Sequence, residues 1–205
     1  MFREKFKGES AIMGSSLLSS VREVNNETKC VDLFRQSRRQ VALLFVVPLL
    51  WIAGDVSLYG ILFGLNHLSG DLYLNTLLMG CATFAAQLTG ALLSTYVGRK
   101  AAIMVFWICA LSGCLFYDLF HSNQAIGYAC VILGKFGANG AFSMMFLITM
   151  ESFPTAYRGR VYGVSNALAR MGGILAPLIP DLIPHFMLFL AGLGVFGLLL
   201  SFVLV

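Results

Sequence analysis

From Val41 to Val205 the chain carries only eleven charged side chains, spaced so that six long stretches pass with two charges at most. A helix needs about 20 predominantly apolar residues to cross the hydrocarbon core of a bilayer. The six stretches meet that need at roughly 42–65, 73–97, 101–120, 125–150, 161–182 and 186–205. No segment alternates apolar and polar residues in the manner of a membrane barrel. The expected fold class is therefore an all-α membrane protein, a six-transmembrane-helix bundle over residues 41–205. Residues 1–40 form a separate N-terminal segment holding the other 13 of the 24 charges. A water-soluble domain is excluded, because 12% charged residues cannot cover a body of 205 residues.

The net charge of +4 sits in that short arm and makes no basic groove, which argues against a nucleic-acid partner. The start, Met1-Phe-Arg-Glu-Lys-Phe-Lys7, runs into polar sequence and lacks the apolar core of a secretory signal. An end at Val205 inside an apolar run is the expected mark of a truncated chain or an incomplete gene product. Cys30, Cys81, Cys109, Cys114 and Cys130 show no metal-ligand spacing, and His67, His121 and His185 fall singly in connections. No metal or cofactor is expected. Nor is an enzyme, since HExxH, GxSxG and paired-carboxylate patterns are missing, as is the GxxxxGK[ST] loop of ATP-driven transport.

Orientation follows from the Lys and Arg counts of the short loops. The arm and the second and fourth loops carry eight, two and two basic residues, while the odd-numbered loops carry none. The arm and the even loops should face the cytoplasm, which makes the protein multi-pass with a cytoplasmic N-terminus and the plasma membrane its favoured location. Residues 9–24 match a weakly amphipathic helix about as well as a plain polar tail.

Charges at mid-membrane depth are costly and mark function by default. Asp55, Lys135 and Arg170 lie about fourteen, ten and nine residues into spans 1, 4 and 5, which at about 1.5 Å per residue is one common depth. Helical spacing adds Tyr59 to Asp55, Asn139 to Lys135 and Asn166 to Arg170, and span 2 offers Gln87. Spans 1, 2, 4 and 5 thus face something polar, and spans 3 and 6 face lipid. The candidate substrate-binding set is Asp55, Tyr59, Gln87, Lys135, Asn139, Asn166 and Arg170. One acid against two bases leaves a positive site, suited to an anionic or zwitterionic group. The alternative is a structural pair of Asp55 with Lys135 or Arg170. On the cytoplasmic side, Arg99, Lys100, Glu151 and Arg158 form a candidate gate, in which Glu151 bridges to Arg99 or Arg158. The alternative there is that the basic residues bind lipid headgroups and only set topology. Gly134, Gly137 and Gly140, and Gly172-Gly173 with Pro177 and Pro180, suggest bent or closely packed helices in spans 4 and 5.

Gly134-Lys135-Phe136-Gly137, Glu151-x-x-Pro154-Thr155-x-x-Arg158, Ala169-Arg170-Met171-Gly172-Gly173 through Pro177, and Gly98-Arg99-Lys100 resemble the C-terminal six-helix half of the organic ion transporter family (organic cation, organic anion and carnitine transporters) of the major facilitator superfamily. The likeness runs from about Leu33 to Pro177. It implies alternating access of two six-helix halves around a central site, driven by a solute or ion gradient. It also implies a small organic ion as substrate and a missing N-terminal half or a second copy as partner, within the lipid bilayer. In that family the position of Arg170 is acidic in cation carriers and basic in anion and carnitine carriers, so Arg170 favours anions or zwitterions. Anion carriers tend to have a base near Gln87, which this chain lacks. The rival reading is a non-transporting membrane protein, or a degenerate fragment, that acts by helix-bundle association.

Overall fold

The computed structural model describes residues 38–64, 72–120, 124–183 and 185–203. These form six long helices: α1 Arg38–Gly64, α2 Leu72–Tyr96, α3 Arg99–Phe120, α4 Gln124–Ser152, α5 Thr155–Leu175 and α6 Phe186–Val203. No strand occurs among the described residues. The helices from Val41, Tyr73, Arg99 and Ile126 are each long and apolar enough to cross a membrane. The expected amphipathic segment at 9–24 and the first loop, with His67 and Asp71, lie outside the described residues.

Two element boundaries differ from the sequence expectation, for identifiable reasons. The link between spans 4 and 5 was expected over Glu151 to Arg160, yet α4 runs through Ser152 and α5 starts at Thr155. Phe153 between them is buried, and Pro154 sits in the extended conformation at the helix start, its missing amide lost where no helical partner exists anyway. At its far end α5 stays helical through Gly172 and Gly173. It tightens into a 3-10 turn at Ala176–Leu178 and a single α-turn at Ile179–Leu182, where Pro177 and Pro180 remove donors. The turn from α2 into α3 hinges on Gly98, whose φ of +95° is closed to residues with a Cβ.

Packing centres on α1 and α4. The helix α1 lies against α4, α5 and α6, while α3 lies against α4 and α6, and α2 rests on α4. Along the α3–α4 seam small residues let the backbones touch. A Cβ at Gly113 would overlap the Gly134 backbone, and one at Gly137 would overlap Ala110. Such small-residue seams supply van der Waals contact where lipid offers no hydrophobic drive to associate. On the other side of α4, Trp51 of α1 is fully buried among Phe142, Phe146 and Tyr162, and its indole N–H donates to Thr149 Oγ1 at 3.0 Å. In α6, Gly197 admits the Trp107 ring and Gly194 fits against Leu111.

The outer face of α3, with Val105, Ile108, Phe116 and Leu119, is exposed, but its other face is buried against α4 and α6, so it is less lipid-facing than the sequence suggests. The polar-faced α2 is more open still: Tyr73, Leu77, Phe84, Leu88 and Leu92 all project from the bundle.

Candidate functional site

The centre of α1 sets the site. Asp55 lies on the α1 face turned to α5 and is 1% exposed. Parallel to it, α5 comes close because Gly172 and Gly173 have no side chain. A Cβ at Gly173 would stand 2.7 Å from Asp55 Oδ2 and 3.3 Å from the Tyr59 ring. One turn earlier on α5, the Arg170 guanidinium reaches across, with one nitrogen 3.6 Å from Asp55 Oδ1. The same nitrogen donates a hydrogen bond to Tyr59 Oη at 2.8 Å, and the guanidinium stands 5.9 Å from the centre of the Tyr59 ring. Arg170 remains half exposed. Its partner acid is sealed, and neither Asp55 oxygen has a hydrogen bond. The 3.6 Å approach is an ion pair too long to be a hydrogen bond.

Lys135 enters from α4. It is 4% exposed, and its ammonium donates to the backbone carbonyl of Leu58 on α1 at 2.9 Å. Among the described residues the acid facing a base in this region is Asp55, and the base it pairs with is Arg170. Asn139 is buried beside Lys135 but turns its amide back onto the Lys135 carbonyl, at 3.0 Å, within its own helix. Asn166 stands one turn before Arg170 on α5, its side-chain oxygen buried and without a hydrogen bond. Gln87 is exposed on α2. The fold thus joins Asp55, Tyr59 and Arg170 directly and sets Lys135 one turn along α1. Asn139 and Asn166 flank them, and Gln87 stands apart.

At the end of the bundle where α2 turns into α3 and α4 into α5, Arg99 at the start of α3 forms an ion pair with Glu151 near the end of α4. Arg158 instead donates from Nε to the Phe153 carbonyl at 3.4 Å, and Lys100 is exposed beside Arg99. Of the two bridges open to Glu151 in sequence, the structure forms the one to Arg99.

One participant escaped the sequence reading. The Leu58 carbonyl belongs to the backbone, and no residue type announces it. The Gly172-Gly173 pair reads in sequence as a bend or a point of close packing, and the structure takes the second: Gly173 brings α5 down onto Asp55. The signal is the Gly172-Gly173 pair itself, set close after Arg170 on α5.

Below this cluster, α1 and α5 part to leave an apolar groove of about 490 Å³ lined by Leu44, Pro48, Ile52, Val161, Val164 and Leu168, among others.

Comparison with known proteins agrees with this architecture. The family model described as Major Facilitator Superfamily matches residues 6–177. Organic cation/carnitine transporter 2 of Mus musculus is 32% identical over 147 residues, covering 71% of this chain and 26% of that protein. Solute carrier family 22 member 4 of Mus musculus is 31% identical over 149 residues, 72% of this chain and 27% of that protein. Organic anion transporter 3 of Rattus norvegicus is 30% identical over 151 residues, 72% of this chain and 28% of that protein. The matched region is thus about a quarter of the length of these relatives. The matched residues take in α1 to α5, with α6 beyond them, and the chain belongs to the Major Facilitator Superfamily.

Proposed function

We propose that this chain contributes one half of a transporter for small organic ions, anions or zwitterions in preference to cations. It works by alternating access around a site at mid-membrane depth. Residues 41–205 make the transmembrane domain, residues 1–40 a cytoplasmic segment, and the plasma membrane is its location. The other half of the path comes from an N-terminal six-helix unit or from a second copy of this chain. No cofactor takes part.

The observation that carries this reading is Arg170. It is a half-exposed guanidinium on α5 where that helix meets α1, held in place by Tyr59 rather than neutralised by a hydrogen-bonded carboxylate. Guanidinium presents several donors in a planar fork that fits carboxylate and sulfonate oxygens. Relatives named as carriers of organic cations, carnitine and organic anions support the substrate class. Lys135 and Asp55 set the field around that fork, and Tyr59 orients it. The Arg99–Glu151 pair holds the loop-side ends of α3 and α4 together and serves as the gate in one of the two access states.

Uptake of a labelled organic-anion panel into proteoliposomes holding this chain, with Arg170→Ala in parallel, tests the proposal. Saturable uptake that the substitution abolishes supports it and makes 205 residues sufficient. Uptake that survives Arg170→Ala removes Arg170 from the site. A well-folded chain that takes up nothing, alone or with an N-terminal half from one of the relatives, favours the association reading. The open face of α2 would then be the surface to mutate.

A further inference from the structure

Arg170 has a buried rival for its charge, and that rival is built to lose it. Asp55 is 1% exposed with both carboxylate oxygens free of hydrogen bonds, so its negative charge rests on a single contact to Arg170 at 3.6 Å. Buried carboxylates ordinarily collect several donors, because an unpaired charge away from water is expensive. Arg170 is committed less firmly. One of its five N–H groups goes to Tyr59, and half of its surface faces outward. An arriving anion meets the guanidinium from the open side. It cannot reach Asp55, because Gly173 closes over that carboxylate with no room even for a Cβ.

We propose that Asp55 is an internal counter-ion that competes with the bound organic anion for Arg170 and takes up one proton when the anion displaces it. The inference rests on the reading of Arg170 as the anion-contacting residue. Asp55 touches no substrate and acts through Arg170. Once the fork turns to an external anion, Asp55 is left as a buried charge without a partner. A proton from solution removes that penalty. Anion and proton therefore bind together.

The remaining groups around Asp55 do not replace Arg170 in this exchange. From α4, Lys135 is held by the Leu58 carbonyl. On α1 itself, Tyr59 already accepts from Arg170. The helix α6 packs apolar Phe186 and Leu190 against Gly64 and Gly60, and Asp181, in the turn after α5, is exposed.

Linkage sets the size of the effect. If one proton enters with each anion, apparent affinity rises as pH falls, by at most about tenfold per pH unit. The test uses the whole chain in lipid nanodiscs and tritiated benzenesulfonate, which stays ionised throughout the range, so any pH dependence belongs to the protein. Binding should tighten several-fold per unit from pH 8 to pH 5.5, with close to one proton taken up per bound sulfonate in weakly buffered solution. Asp55→Asn should bind more tightly than the wild type at pH 8, with a flat pH profile and no proton uptake. If Asp55→Asn fails to fold, as judged by gel filtration and circular dichroism, the proton count on the wild type decides. Arg170-dependent binding with a flat profile and no proton uptake overturns the inference and leaves the site reading standing. Binding that Arg170→Ala does not change, or no binding at any pH, overturns the site reading and this inference with it.

Discussion

Lys135 and Arg170 enter the bundle at similar depth from helices on either side of α1, and they meet opposite fates. Lys135 is 4% exposed and spends its charge on a backbone carbonyl. Arg170 is half exposed and shares itself between Tyr59 and a buried acid. The difference follows from what lies behind each helix. The back of α4 is pressed onto α3 through Gly113, Gly134 and Gly137, so Lys135 points inward and has no slack. Arg170 on α5 instead turns toward Tyr59 and Asp55 of α1 and keeps half of its surface exposed. A cation in a membrane protein is thus structural or available according to the packing of its helix, and not according to its depth.

Loosening the α3–α4 seam is the most direct way to break that contrast, and it carries the largest expected effect. A side chain at Gly137 must overlap the Ala110 backbone, which cannot yield as a flexible side chain would. Gly137→Leu should cost about 3 kcal/mol, the upper range for overpacking. It should also expose Lys135, seen as a lowered melting temperature in detergent together with new reactivity toward an amine reagent. Gly163→Ala on α5, with nothing within 4 Å, is the matched control. It should gain up to about 1 kcal/mol from helix propensity.

Much of this was legible beforehand, for a physical reason. Six apolar runs and the spacing of charges record the cost of placing polar groups in lipid, and that cost acts residue by residue. Asp55 and Arg170 could be picked out because a charge is anomalous where each stands, and Tyr59 by its helical spacing from Asp55. Their mutual geometry could not, since it depends on Gly173 allowing α5 to approach α1. Asn139 resembled a site residue from its spacing to Lys135, but an asparagine amide one turn on satisfies itself equally well on its own helix. Gln87 shared a polar face on α2, yet that helix rests on α4 and leaves the glutamine exposed, away from the cluster. Side-chain periodicity names a face; only packing says what the face meets.

The second test exchanges the two cations for methionine. Arg170→Met strands Asp55 as an unpaired buried charge. Losing one partner of a buried pair costs about 3–5 kcal/mol, and half-exposure of Arg170 reduces the expected loss to about 2 kcal/mol. Adding Asp55→Asn should restore most of it, so a double-mutant cycle reads the pair directly. Lys135→Met should run the other way. Burial of a lone ammonium costs several kcal/mol, and one charge-assisted hydrogen bond returns about 1.5–3 kcal/mol. Thermal stability should therefore rise, by about 1–2 kcal/mol. Equal losses in both variants would erase the distinction between the sealed and the open cation.

The smallest effect belongs to the Arg99–Glu151 pair, which isolates the role of the surrounding medium. Each residue stands at the unfavourable end of its helix. Arg99 begins α3, where the dipole is positive, and Glu151 is next to last in α4, where it is negative. Their pairing offsets two small electrostatic penalties, in side chains that are each more than two-fifths exposed. Exposed ion pairs contribute about 0.2–1 kcal/mol, so Arg99→Gln should lower stability by no more than about 1 kcal/mol. Raising the salt to about 1 M, where the Debye length is near 3 Å, should bring variant and wild type together. The Asp55–Arg170 coupling should pass through the same titration almost unchanged, because solvent ions do not reach a carboxylate that Gly173 has closed over. Salt-sensitive coupling at Asp55 would mean that water enters between α1 and α5. Asp55 would then need no proton when Arg170 turns away, and the contrast between its sealed charge and the open guanidinium would be lost.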